Sequence, residues 1–154
     1  MVDTVQVQAG TTIAISASLP TAFDTSTDGY PSLSYTDIGE VVDYASSGAE
    51  WSTTTSNPIA LDYTKYYKAI KSWSTETFTI NRDDDDAGQV AALTARDVKT
   101  EVSIEITNPD GSIDYYTGLV LSFSDSRGGA EVLIQKTMVV QPTRDTVTVA
   151  APSA

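Results

Sequence analysis

The chain has no cysteine and no histidine among its 154 residues. That removes thiol nucleophiles, Ser-His-Asp relays and zinc sites built from thiolate or imidazole, and it leaves catalysis only carboxylates, lysine, tyrosine and hydroxyls. Positive charge is also scarce: 9 Lys and Arg stand against 21 Asp and Glu, a net charge of -12. This balance argues against a surface that grips nucleic acid by neutralising phosphates, and it suits a partner that tolerates a negative field. No run approaches the roughly 18 apolar residues of a membrane span. The opening MVDTVQVQAGTTIAIS places an acid where a secretory signal has its basic segment. The expectation is one soluble domain over 1–154, made in the cytoplasm, able to bury a core without disulfide or metal staples and needing no cofactor.

What is abundant is Thr, Val, Ile and Tyr in strand-like alternation. Val98, Thr100, Val102, Ile104 and Ile106 alternate with Lys99, Glu101, Ser103 and Glu105, which predicts one buried and one wet face. Asn108-Pro109-Asp110-Gly111 reads as a turn, and Ile113, Tyr115, Thr117, Leu119, Leu121 and Phe123 alternate after it. A four-residue loop would set Ile106 opposite Ile113, Ile104 opposite Tyr115 and Val102 opposite Thr117. The same register would set Glu105 against Asp114 on the wet face, a mildly repulsive pair that some function would have to require. Further strands are expected near 5–16, 35–43, 73–80 and 130–141, the last with Val132, Ile134, Met138 and Val140 on one side.

Between two of these strands lies a polar stretch, 44–67, too long for an ordinary connection in a compact domain unless it is functional or an extended hairpin. The core is expected over about 5–142, with a small polar extension, 143–154, leading away from it. There is no internal repeat.

Four aspartates, Asp83 to Asp86, precede a small apolar run. Asp86 and Gln89 have the spacing of a capping box, in which Asp86 accepts from the backbone amide of Gln89 and the glutamine reaches back; a short helix then ends near Arg96 or Asp97. An EF-hand loop starting at Asp83 would put Gly88 at position six but Thr94 at twelve, where the bidentate acid belongs. A loop starting at Asp24 fails in the same way at Tyr35 and reads better as an Asp and Gly turn. Trp51, Tyr63, Tyr66, Tyr67 and Trp73 are close enough in sequence to suggest a sugar-stacking platform, although such density more often serves strand and interface packing. Nothing selects two carboxylates flanking a cleft, so an enzyme is not expected.

The order of TDIGEVVD at 36–43, SNPI at 56–59, FTINRDDDDAGQVAAL, then VSIEITNPDGSIDYYTGLVLSFS and a closing Gly-Gly strand resembles the tail tube (major tail) proteins of long-tailed, non-contractile bacteriophages. The resemblance covers roughly 11–142. It departs at 62–74, richer in Tyr and Lys than the Gly-rich segment of that family, and after Arg144. It implies a mainly β fold, a β-sandwich or barrel-forming structure flanked by one helix, six copies of which close into a ring. Rings would stack into a tube, with a tail-tip or baseplate initiator, a tape measure protein and a tail terminator as partners, in the tail of a virion. DNA would pass through the lumen without specific binding. On that reading Glu101, Glu105 and Asp114 are lumen-facing candidates, and Trp51, Ser52, Thr53, Thr54, Thr55, Ser56 and Asn57 belong to an arm that reaches the next ring. Two alternatives stand beside it: a tube of the type VI secretion kind, and a monomeric acidic β-sandwich module binding carbohydrate through Trp51 and its neighbouring tyrosines.

Overall fold

The computed structural model describes residues 8–45 and 48–151. Its strands are β1 (Thr12–Ser16), β2 (Thr36–Ile38), β3 (Val41–Ala45), β4 (Ala49–Ser56), β5 (Lys65–Trp73), β6 (Glu76–Asn81), β7 (Val102–Thr107), β8 (Ile113–Ser126), β9 (Gln135–Pro142) and β10 (Val147–Val149). One helix, α1 (Ala87–Asp97), separates β6 from β7. The fold is mainly β, as the alternation predicts.

The main sheet is antiparallel and runs β2-β1-β7-β8-β9-β6-β3, with β10 also on β8. Its two outermost strands, β2 and β3, are consecutive in the chain and joined only by Gly39 and Glu40. Three Cα steps span at most about 11 Å, so the sheet must curl until its edges meet. The corner requires an unusual backbone, and Glu40 supplies it with a φ of 61°. Here the single strand expected over 35–43 is in fact two strands on opposite edges. Curling hides both edges from chance pairing with other chains. Inside lies one apolar core of Ile13, Ile15, Phe78, Ile80, Val102, Ile104, Ile106, Tyr116, Met138 and Val140, among others.

Helix α1 lies against β1, β2 and β8. Its inward side is small, with Gly88, Ala92 and Ala95 buried. A Cβ on Gly88 would lie 2.2 Å from the Asp37 carbonyl oxygen, so glycine is what lets the first turn touch β2.

The β7–β8 hairpin differs from expectation by one residue. Thr107 pairs with Ile113, Ile104 with Tyr116 and Glu105 with Tyr115. The loop is five residues, not four: the Asn108 amide donates to the Ser112 carbonyl, and Gly111, at φ 92°, donates to Asn108. A type I turn followed by a left-handed glycine takes that extra residue. Pairing apolar with apolar speaks against this slip, which sets Ile106 opposite Asp114, yet it is the register found, because Tyr115 and Tyr116 are both apolar and both faces of this hairpin are covered. Tyr116 enters the main core, while Tyr115 stacks on Tyr30 with ring centroids 5.5 Å apart. The face expected to be wet is roofed by the β1–β2 connection: Ser103 donates to the Ser18 carbonyl, and the Tyr30 hydroxyl meets that of Thr117 at 2.7 Å. A register shift between Val120 and Ser122 then leaves Leu121 54% exposed and turns Phe123 into the core.

Two further expectations change. β8 runs on to Ser126 and β9 begins only at Gln135, so Val132 and Ile134 sit in the connecting loop rather than on a strand. Residues 143–151 do not lead away: Arg144 pairs with Glu101, and β10 lies along β8. The segment at 5–7, expected to begin the first strand, lies outside the described residues.

Candidate assembly surfaces

The aspartate run does structural work at the corner where the sheet closes. The Asp86 carboxylate accepts from the Gln89 amide at 2.9 Å, the N-cap bond, and from the Gly39 amide at 3.2 Å. The reciprocal half of the expected capping box is different. Gln89 Oε1 accepts from the Asp83 amide, and its Nε2 donates to the carbonyls of Asn81 and Gly39. Gln89, 2% exposed, therefore ties the end of β6 and the β2–β3 corner to the helix. Asp84 is held by Arg82 through its Nε and Nη2, which keeps the acid's pKa low. Asp83 Oδ1 accepts from the Asp85 amide. The Asp24 loop is a turn, its carboxylate accepting from the Ser26 amide and hydroxyl.

The stretch expected as a loop or arm over 44–67 is part of a longer hairpin. β4 and β5 form a two-stranded sheet of their own. Every residue of β4 is exposed. Large side chains stand out along and around it: Trp51, Ile59, Tyr63, Tyr66, Tyr67 and Ile70. A lone two-stranded ribbon is marginal in water, and so much exposed apolar surface calls for a partner. Among the described residues, the bonds that fasten the ribbon are at its root. Ser74 donates to the Gly48 carbonyl, Gln141 to the Trp73 carbonyl, and Asp145 accepts from the Trp73 indole and pairs with Lys71. The expected arm residues Trp51, Ser52, Thr53, Thr54, Thr55 and Ser56 lie on β4, and Asn57 follows it.

The aromatic residues weighed as a sugar-stacking platform are spread over both strands and the loop of the ribbon. Lys68 lies over the Trp51 ring at 5.6 Å and Lys71 over that of Trp73 at 5.7 Å. Tyr66 and Tyr67, adjacent in one strand, project to opposite faces of the ribbon.

The three acids expected to form one belt do not share a face. Glu105 is opposite Tyr115 and Asp114 opposite Ile106, so strand alternation sends them to opposite sides of the sheet. This follows directly from the longer turn. Burial raises the pKa of Glu105, with Asp37 adding to the effect, while a hydrogen bond from Thr143 and the Arg144 pair lower that of Glu101. Asp114 accepts from Asn108 Nδ2 and the Thr148 hydroxyl.

A different face stands out. Burial alternates along β6 and along β9 from Thr137 onward, and the half-exposed positions on one face are Thr77, Thr79, Asn81, Gln135, Thr137, Val139 and Gln141; Lys136, also half-exposed, pairs with Ile80 and Asp125 on the other face. The pairings Thr77–Val139–Ser122, Thr79–Thr137–Ser124 and Asn81–Gln135–Ser126 make rungs across three strands. Across these three strands the rungs carry hydroxyls, amides and Val139 and no charge, and on β3 the acid Asp43 continues the rung of Thr79. No signal in the sequence marked them, because Thr and Ser alternation reads as an ordinary solvated face.

One buried acid was also missed. Glu76 is 5% exposed at the start of β6 and accepts from the Tyr44 hydroxyl at 2.9 Å. The Tyr116 hydroxyl comes close to it without a well-formed hydrogen bond. Burial raises the Glu76 pKa, and Asp114 adds to the shift.

This curled antiparallel sheet with one helix and a detached ribbon defines a known class of fold. It matches a chain of the anti-feeding prophage baseplate (TM-score 0.64, 7% identity, 99% of this chain and 100% of that one). It matches equally a chain of the PVC sheath-tube complex, an extracellular contractile injection system (0.64, 7%, 97% and 95%). The SPP1 tail tube is as similar (0.63, 10%, 97% and 81%). At these identities the likeness is one of fold. No family model matches the sequence, and no curated protein does.

Proposed function

We propose that the chain is a structural, non-enzymatic subunit that polymerises into the tail tube of a long-tailed phage, as stacked rings of six with DNA passing along the bore. The observation that carries this reading is the exposed β4–β5 ribbon on a fold matched over 97% of this chain by chains of tube assemblies. A ribbon that cannot bury its own apolar side chains is explained if another subunit buries them. Initiator, tape measure and terminator proteins are the partners this role implies, and the particle tail is its location.

The bore is better supplied by the uncharged rungs of β6, β9 and β8 than by Glu101, Glu105 and Asp114. A wall without cations offers phosphates no counterion release, and the net charge of -12 supplies a repulsive field behind it. The equal match to a contractile injection system gives a second reading, a tube inside a sheath.

Electron microscopy of the concentrated protein tests the proposal. Rings or filaments are expected. Because Gly48 and Ser74 are hydrogen-bonded neighbours, residues 49–73 can be replaced by a short Gly-Ser bridge. That variant should keep its fold and fail to stack. A chain that stays monomeric at all concentrations would sink the reading, and tubes formed without the arm would remove the arm from the stacking contact.

A further inference from the structure

The helix is amphipathic in an inverted sense. Its buried side is made of Gly88, Gln89, Ala92 and Ala95, whereas Val90 is 50% exposed, Leu93 37% and Val98, just past its end, 47%. Large apolar side chains on the outward face of a solvated helix lose the usual benefit of burial and normally mark a contact. Beside them a groove of about 200 Å3, lined by Ala91, Thr94, Val98 and Thr100, opens toward the core residues Ile15 and Val102.

The charges of the chain are unevenly divided. Residues 49–73 hold three lysines and two acids, net +1, which leaves six cations against nineteen acids, net -13, on everything else. The arm is thus a cationic, aromatic ribbon on an anionic body. The two features are also at different ends. The arm is rooted beside Glu76 and α1 starts just beyond Asn81, the two ends of β6, about 17 Å apart at the strand rise per residue.

Resting on the tube reading, we infer that the outward face of α1, centred on Val90, Leu93 and Val98, is the seat for the β4–β5 arm of a second copy of this chain. On the ribbon face that carries it, Tyr67 supplies the apolar area, and Lys65, two residues away on the same face, meets the acidic body around the helix. The contact joins two different patches at different ends of the body, so it can repeat from copy to copy. Repeated head to tail, it builds the open stack that a tube requires.

The absence of native cysteine makes the test clean. Leu93→Cys and Thr94→Cys subunits are assembled and exposed to a maleimide, with unassembled subunits of the same variants as reference. Labelling in tubes should be at least tenfold slower. Mixed tubes of Leu93→Cys and Tyr67→Cys chains should give a disulfide-linked dimer under mild oxidation, absent from unassembled mixtures. Tubes in which both variants label at the unassembled rate and no crosslink forms would overturn the inference while leaving the tube reading intact. Wild-type protein that never assembles would overturn both.

Discussion

The Asp86 carboxylate holds the Gly39 amide at 3.2 Å across the corner where β2 turns into β3, while capping its own helix at the Gln89 amide. One side chain thereby joins the helix start to the closure of the sheet. Asp86→Ala should cost about 1–3 kcal/mol, since it removes a cap and a second charge-assisted bond. Asp86→Asn, which still accepts at the cap, should cost less. Millimolar calcium should leave the melting temperature of the wild type unchanged. A clear rise on adding calcium would assign the aspartates to a metal instead.

Gln89→Leu should be among the most damaging single changes on the helix. It removes three hydrogen bonds, to the Gly39 and Asn81 carbonyls and from the Asp83 amide, in a partly buried corner, at about 0.5–1.5 kcal/mol for each bond lost. Denaturant midpoints of the two variants measured side by side decide the matter. A Gln89→Leu protein as stable as wild type would mean the corner is held by other contacts.

Glu76 gives a pH signature. Its folded pKa is raised, chiefly by burial, so between the unfolded and the folded value the folded state binds more protons. Its contribution to stability is complete below the unfolded pKa and is lost as pH rises through the folded one. Glu76→Gln removes the ionisation and can still accept from Tyr44. The variant should melt with the wild type near pH 4 and above it at pH 8. A gain of about 1 kcal/mol would appear as roughly 2–4 °C. A gap that does not change with pH would show that Glu76 ionises in the fold without penalty.

How much of this was legible in the sequence depends on how local its cause is. The helix start was legible because Asp86 and Gln89 sit three residues apart, and an extended hairpin because 44–67 is too long for an ordinary connection. The hairpin register was not, because one loop residue decided it and Tyr115 and Tyr116 offered equal apolar character to either face. The roof over Ser103 and Thr117 was invisible: it is built by Tyr30, 87 residues from its partner Thr117. Glu76 reads as an ordinary exposed strand acid until Tyr44 and Tyr116 are seen around it.

The uncharged rungs make the most direct prediction about the bore. Thr79 and Thr137 are directly paired, half-exposed and central in the face, with Ser124 completing the rung. Neither side chain supports the core, whose residues at these strands are the alternating Phe78, Ile80 and Met138. Thr79→Lys with Thr137→Lys should therefore fold and assemble. In a ring of six the pair would place twelve new cations on the wall. DNA should then be retained, strongly at low salt and weakly at high salt, as each neutralised phosphate adds about one unit to the salt slope. The same two substitutions on an outer wall would leave passage unchanged. Double-Lys tubes that hold no more DNA inside than wild type at any ionic strength would move the bore to another face of the sheet.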